Sequence, residues 1–538
     1  MNRQMLPRWL GAVMLNLGVC LGGVFWSGTA RAAETIVFSV SSLEFSIAVE
    51  SLAHYAETGE IKPDFADVAV YLNDDQLQDL RQALNARIEI SPVVISQFLY
   101  SPQGEAVLGQ IGELILTRKR QSGFYALRAA LILAAADPET GLTPLNVLRQ
   151  FPVAGLRINS TLAFDLVGQL GQEIEATEAA IASIERQAQE QAAQTATELP
   201  LDLRQSGERT FERQTLLLND RERQRAFPAD LYWPDRQSQD ALAEPMPLVI
   251  ISHGLGSERQ TFAYLAQHLA SHGIVVAVPE HPGSNAAQIQ ALAAGREKDL
   301  TPPSELVDRP LDIQFLLDQL AEEYGDRLNT QQVGVLGQSF GAYTALALAG
   351  AEINFAALSV ACPDALLALN WSLVLQCSAL RLSEPLPRLQ EERVAAVIVI
   401  NPLTSQIFAA EQLGAIAVPM VWVAGGADTV TPALAEQLQP FSRFNQANKY
   451  LALLAKGTHF STLAATEGDI ALPEAVLGPD PQIAHAYLRA LSLGFFGPAI
   501  ADRPELQPYL SPSYGAQISD PRNPLSLIVA PITTLGED

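Results

Sequence analysis

The sequence predicts an α/β protein, a mostly parallel sheet flanked by helices, preceded by a mainly helical region. Two textures predict it. From about residue 208, short runs of Val, Ile, Leu and Ala alternate with helical stretches, the pattern of parallel strands joined by crossover helices. Before about residue 200, apolar residues instead recur at spacings of three and four. A chain of 538 residues is also too long for one ordinary core, so more than one domain is expected.

Residues 1–32 have the layout of a signal peptide. Arg3 and Arg8 precede an apolar run from Trp9 to Trp26, and Thr29-Ala30-Arg31-Ala32 offers small residues for cleavage after Ala32. The expected product is periplasmic or secreted. An uncleaved anchor is the alternative, because the run approaches the ~20 apolar residues of a membrane span. Cys20 follows Val19, a poor fit to a lipoprotein signal. Cleavage leaves Cys362 and Cys377, an even number in an oxidising compartment, and a disulfide between them is expected. Two buried thiols are the alternative.

Residues 34–200 are read as a helical N-terminal domain and linker. Asn73-Asp74-Asp75 caps a helix carrying Leu77, Leu80 and Leu84, and further helices are expected at Pro92–Tyr100, Glu105–Leu116 and Phe124–Ala136. Val167, Leu170, Ile174, Ile181 and Ile184 predict one long amphipathic helix that packs on something. Gln187–Thr197 loses that face and is read as the linker.

The catalytic domain is read over residues 208–500. Its strand candidates are Pro247–Ser252, Ile274–Pro279, Gln332–Leu336, Ala395–Ile400, Val418–Ala424 and Tyr450–Leu454. Most are near-continuous apolar runs, as strands buried on both faces require. Thr210–Asn219 and Ala229–Trp233 are expected to pair antiparallel at the edge. Insertions are read at 285–310 and 351–392, either of which could form a lid. The Pro- and Ser-rich extension 501–538 is expected to wrap the surface or stay mobile.

The chemistry centres on Gly337-Gln338-Ser339-Phe340-Gly341, which follows the strand candidate Val333–Leu336 and precedes a helix start. A sharp strand-to-helix turn needs little bulk beside its nucleophile, which explains the glycines, and it aims the helix N-terminus at developing negative charge. Serine needs a base to take its proton. Of the two later histidines, His459 follows the last parallel strand candidate, whereas His485 sits in a helical stretch and is read as a packing or surface residue. Asp428, in the loop leaving Pro419–Ala424, is the expected acid that holds the imidazole. The oxyanion amides are expected from Phe340 and from Leu255 in Ser252-His253-Gly254-Leu255-Gly256. His253 and His281 are read as structural hydrogen-bonding residues.

Together His253-Gly254-Leu255-Gly256, Glu280-His281-Pro282-Gly283-Ser284 and Gly337-Gln338-Ser339-Phe340-Gly341 resemble the platelet-activating-factor acetylhydrolase and dienelactone-hydrolase-like branch of the α/β-hydrolases. The resemblance covers roughly residues 208–500 and implies an ester-hydrolysing fold. Dienelactone hydrolases use a cysteine nucleophile, where this chain has Ser339. The acetylhydrolases carry their acid after the preceding strand, where this chain has Asn401. The helical region resembles the extension of unknown function that precedes such hydrolases in cyanobacterial proteins.

The expected function is that of a serine carboxylic-ester hydrolase acting on small or lipid esters, without metal or organic cofactor. Two alternatives use the same architecture: a silent binding or scaffold protein, and a perhydrolase or peptidase. Membrane association is expected only through the N-terminal segment or a lipid substrate. A formal charge of −25 argues against nucleic acid as a partner, since phosphate binding rests on basic contacts.

Overall fold

The computed structural model describes residues 33–40, 43–194, 199–235, 244–363, 370–444, 449–466 and 474–529. The proposed signal segment therefore lies outside the described residues. The chain divides into two compact units. One holds the described residues up to Arg87 together with Ile115–Ile158, and the other holds Ile88–Leu114 and the described residues from Asn159 onward.

The first unit is mainly helical, as expected, but it also contains a sheet. Strands β1 (Thr35–Val40), β2 (Leu43–Ala48), β3 (Ile115–Thr117) and β4 (Gly155–Ile158) lie in the order β2-β1-β4-β3. Thr35, Ile36 and Val37 favour a pleated surface. Phe38 and Phe45 face each other across the β1–β2 pair and stack with centroids 5.6 Å apart. The helix Asp74–Asn85 begins with a capping box, in which Asn73 and Gln76 satisfy each other's backbone amides.

The second unit is built on β5 (Phe211–Asp220), β6 (Arg225–Pro234), β7 (Met246–Ser252), β8 (Val275–Pro279), β9 (Leu328–Gln338), β10 (Val394–Ile400), β11 (Met420–Gly425), β12 (Lys449–Leu454) and β13 (Leu525–Val529). They form a single sheet in the order β13-β12-β11-β10-β9-β7-β8-β6-β5. Strands β7 to β12 pair in parallel, and β5, β6 and β13 are antiparallel additions. Core clusters cover both faces of the parallel strands, which is why their sequences read as unbroken apolar runs.

Four readings of the sequence need correction. The stretch beginning at Gln187 is not a linker: the helix Ser160–Gln194 runs through it and buries Ala180, Ile184 and Ala188 in the second unit's core. Its packed face begins only there, since Phe164, Val167, Leu170 and Ile174 are exposed. Residues 88–114 likewise belong to the second unit rather than to a helical domain ending near 200.

The C-terminal extension is not peripheral either. Strand β13 pairs antiparallel with β12, and Gln191 closes its outer edge, donating to Val529 O and accepting from Val529 N, both at 3.0 Å. One side-chain amide thus stands in for a peptide group of a further strand.

The insertion read as 285–310 ends earlier, because its last residues open the helix Glu305–Tyr324. Pro310 sits inside this helix, where it denies Leu306 O its usual donor. The Tyr343 hydroxyl supplies one at 2.9 Å. The second insertion carries the helices Phe355–Ala361 and Ser372–Gln376, and a Cys362–Cys377 disulfide clips it. The buried Glu436 carboxylate anchors this segment, accepting from Ser372 Oγ at 2.9 Å, Gln376 Nε2 at 2.8 Å and Ser405 N at 2.8 Å. No described helix is long and apolar enough to cross a membrane.

Candidate active site

Ser339 stands between β9 and the helix Phe340–Leu348 with φ +55° and ψ −116°. A non-glycine residue rarely adopts such a conformation, and it is held here by Ser339 N donating to Ile400 O at 2.8 Å. The flanking glycines are required by space. A Cβ on Gly337 would lie 2.0 Å from Gly341 O, and one on Gly341 would lie 1.9 Å from Ser252 O. The turn therefore packs against the end of β7, and the serine hydroxyl is lifted from the sheet.

His459 Nε2 lies 2.9 Å from Ser339 Oγ, and His459 Nδ1 lies 2.8 Å from Asp428 Oδ2. The loops carrying the two residues are tied together by Ala427 N donating to Gly457 O at 2.9 Å. Gln338 Nε2 donates to His459 O at 3.2 Å, which fixes the histidine from the side of the Ser339 turn.

Asp428 is almost fully buried. Burial by itself raises its pKa, but the charge of His459 and hydrogen bonds from His459 and Thr431 outweigh it and leave the carboxyl below its usual range. One oxygen accepts from the amides of Val430 and Thr431 at 2.8 and 2.9 Å. The other accepts from Asn401 Nδ2 and Thr431 Oγ1, each at 2.7 Å, and from Gln437 Nε2 at 3.1 Å. Asn401 is thus in direct contact with the Asp428 carboxylate, itself at φ +46°.

The loop after β7 lies against the Ser339 turn: a Cβ on Gly254 would come within 3.4 Å of Ser339 Cβ. Gly256 N donates to Ser284 O at 2.8 Å, which pins that loop to the one after β8. Phe340 opens its helix, where an N-terminal amide has no intrahelical acceptor.

His253 and His281 are both buried and structural. His281 N donates to His253 Nε2 at 3.1 Å, so His253 Nδ1 carries the proton and donates to Gly254 O at 2.8 Å. Burial, reinforced by the Arg309 charge, pushes the His253 pKa down to about 3. His485 is buried and stacks on Tyr264 with centroids 3.9 Å apart, a packing role.

Residues 32–159 match the family described as alpha/beta hydrolase of unknown function (DUF1400), and residues 230–299 match platelet-activating factor acetylhydrolase, isoform II. The second match spans β7, the loop with Leu255 and the His281–Ser284 loop. The protein is an α/β-hydrolase by fold. The first match falls on the N-terminal part of this hydrolase, and the second stops short of Ser339.

Sequence reasoning missed the side chains that hold the hydrolase's site together. Asn401, Thr431 and Gln437 surround Asp428. Asn401 stands out in the sequence only as the position where the acetylhydrolases carry their acid, and Thr431 has a local signal, since an aspartate commonly accepts from amides two and three residues on. Arg309 and Asp312, beneath the loop after β7, had none.

Proposed function

We propose that the hydrolase is a serine carboxylic-ester hydrolase, exported after cleavage following Ala32, whose substrate is a lipid-like or phospholipid ester. The observation that carries the reading is the unbroken relay from Ser339 Oγ through His459 to Asp428, at 2.9 and 2.8 Å, on a strand-to-helix turn. The Cys362–Cys377 bridge supports an oxidising compartment. The acetylhydrolase match over residues 230–299 supports an ester substrate.

In the first half-reaction His459 takes the Ser339 proton as Oγ attacks the ester carbonyl. The amides of Phe340 and Leu255 receive the oxyanion, and Asp428 stabilises the imidazolium without taking its proton. His459 then protonates the leaving alcohol. Water, deprotonated by the same histidine, releases the acid from the acyl-enzyme. These steps use no metal or organic cofactor.

The test is hydrolysis of nitrophenyl esters of graded acyl length by the purified protein, beside Ser339→Ala. Serine-dependent turnover is expected, with the length preference defining the acyl pocket. Equal turnover by Ser339→Ala would overturn the assignment.

A further inference from the structure

Beneath the two oxyanion amides lies a buried cation that the mechanism above does not use. Arg309, on the helix Glu305–Tyr324, is fully buried. Its four hydrogen bonds go to hydroxyl and carbonyl oxygens on three other segments. Nε donates to Thr344 Oγ1 at 3.1 Å, on the helix that follows the nucleophile. Nη1 donates to Ser284 Oγ at 2.7 Å, in the loop after β8. Nη2 donates to Ser252 Oγ at 3.2 Å and to His253 O, where the oxyanion loop begins. The guanidinium carbon also sits 4.5 Å from the centroid of the Phe340 ring.

Among the described residues, carboxylates reach this cation only through relays. Ser284 Oγ donates onward to Glu305 Oε2 at 2.7 Å. Ser252 Oγ meets His281 Nε2 at 3.1 Å, and His281 Nδ1 meets Asp312 Oδ2 at 3.0 Å. Burial pulls the Arg309 pKa down to about 9, with Glu305 and Asp312 holding it up, so it stays charged at neutral pH. Leaving a charge in the interior is costly unless its geometry is well satisfied. A merely apolar filler would be cheaper, so this placement calls for a reason.

The reason follows from the peptide units involved. In a trans peptide the carbonyl and the next amide point in opposite directions. His253 donates to Gly254 O, and the Gly254–Leu255 unit it grips also carries the Leu255 N–H. Arg309 grips the unit before it, through His253 O. On the other side the same guanidinium holds the Phe340 ring and Thr344. We propose that Arg309 is a positioning residue for the oxyanion hole, setting the Leu255 and Phe340 amides relative to one another through His253 and the Phe340 ring. This rests on the esterase reading for its catalytic consequence, but the fixing of the loop does not.

The experiment compares Arg309→Lys and Arg309→Met with the unaltered protein. The lysine variant keeps the charge but not the fork that reaches three segments. Three readouts are taken: kcat and KM on a nitrophenyl ester, the ester-to-thionoester rate ratio, and hydrogen exchange of residues 252–257. A thionoester places sulfur in a hole shaped for oxygen, so the ratio reports on oxyanion fit. Expected are a fall in kcat of about 10²-fold for Arg309→Met with KM little changed, a smaller fall for Arg309→Lys, a ratio collapsing towards unity, and faster exchange in 252–257.

A fall in kcat with an unchanged ratio and unchanged exchange would overturn the proposal, as would full activity in both variants. Should Arg309→Met not fold, Arg309→Lys carries the test. Should the unaltered protein hydrolyse no ester, the esterase reading falls, while unchanged exchange in the variants would separately overturn the fixing of the loop.

Discussion

Two Ser–His–Asp sets lie in this hydrolase, and they share a geometry but not a setting. In one, His459 bridges Ser339 and Asp428 at 2.9 and 2.8 Å. In the other, His281 bridges Ser252 and Asp312 at 3.1 and 3.0 Å. The first serine is on a strained turn between a strand and a helix, next to the loop that carries Leu255. The second is the last residue of β7, fully enclosed, its oxygen already accepting from Arg309.

Their acids differ as well. Asp428 is held ionised by His459 and Thr431, whereas burial raises the Asp312 carboxyl to about 7 against the pull of Arg225 and Arg223. Spacing of three residue types is therefore not what makes a nucleophile. Backbone strain and a place at a helix N-terminus set Ser339 apart from Ser252.

The sharpest way to break this contrast is to remove each serine. Ser339→Ala is expected to lower kcat by about 10⁶-fold, with the melting temperature unchanged. Ser252→Ala is expected to cost less than about tenfold, the loss of one support in a preorganised site. Comparable losses in both would dissolve the distinction, and steady-state kinetics on a nitrophenyl ester reads it directly.

The next effect concerns the acids. Asp428→Asn is expected to lower kcat by about 10⁴-fold, because the imidazole loses its orientation and its countercharge. Asn401 Nδ2 lies 2.7 Å from the same oxygen that receives His459. The pair Asn401→Asp with Asp428→Asn exchanges amide and carboxylate, and should recover at least about tenfold of that loss. Such recovery would explain how the acid can follow either strand among the acetylhydrolases and this chain. No recovery would mean that the network around Asp428 admits only one arrangement.

The sealed histidines set the response to acid. Burial holds His253 neutral, its pKa down at about 3 rather than the usual 6.5, with His281 also well below. An unfolded chain takes up protons on these rings below pH 6.5, and the folded chain refuses them. Stability is therefore expected to fall as pH drops from 6.5 towards 3. Melting temperatures across that range would show it, and a flat profile would contradict the enclosure. The smallest effect is that of the bridge. Cys362→Ala with Cys377→Ala should lower stability by about 3 kcal/mol on chain-entropy grounds, read by denaturant titration, with kcat changed less than the serine variants change it.

Legibility in the sequence followed the range of the interactions. The parallel strands were readable because burial on both faces leaves apolar runs such as Leu248–Ile251 and Val397–Ile400. The Ser339 turn was readable because glycine is needed within two residues of it. Strand β13 was not, since Leu525–Val529 sits among prolines and serines and its partner β12 lies far back in the chain. Arg309 was not either: its acceptors stand 25 to 57 residues away, and nothing local marks a buried arginine. The helix Ser160–Gln194 misled for a related reason. Its alanine- and glutamine-rich end looks weakly apolar, yet small residues are what let it pack closely against the core.

The Gln191–Val529 pairing has a bearing on how the chain is made. Its two residues are 338 apart in sequence, so the strand that Gln191 seals is synthesised long after Gln191 itself. The sheet cannot be completed until Leu525–Val529 arrives. Until then β12 presents an open edge able to recruit other chains. A chain cut short before Leu525 should thus emerge as an aggregate rather than as a weakened enzyme.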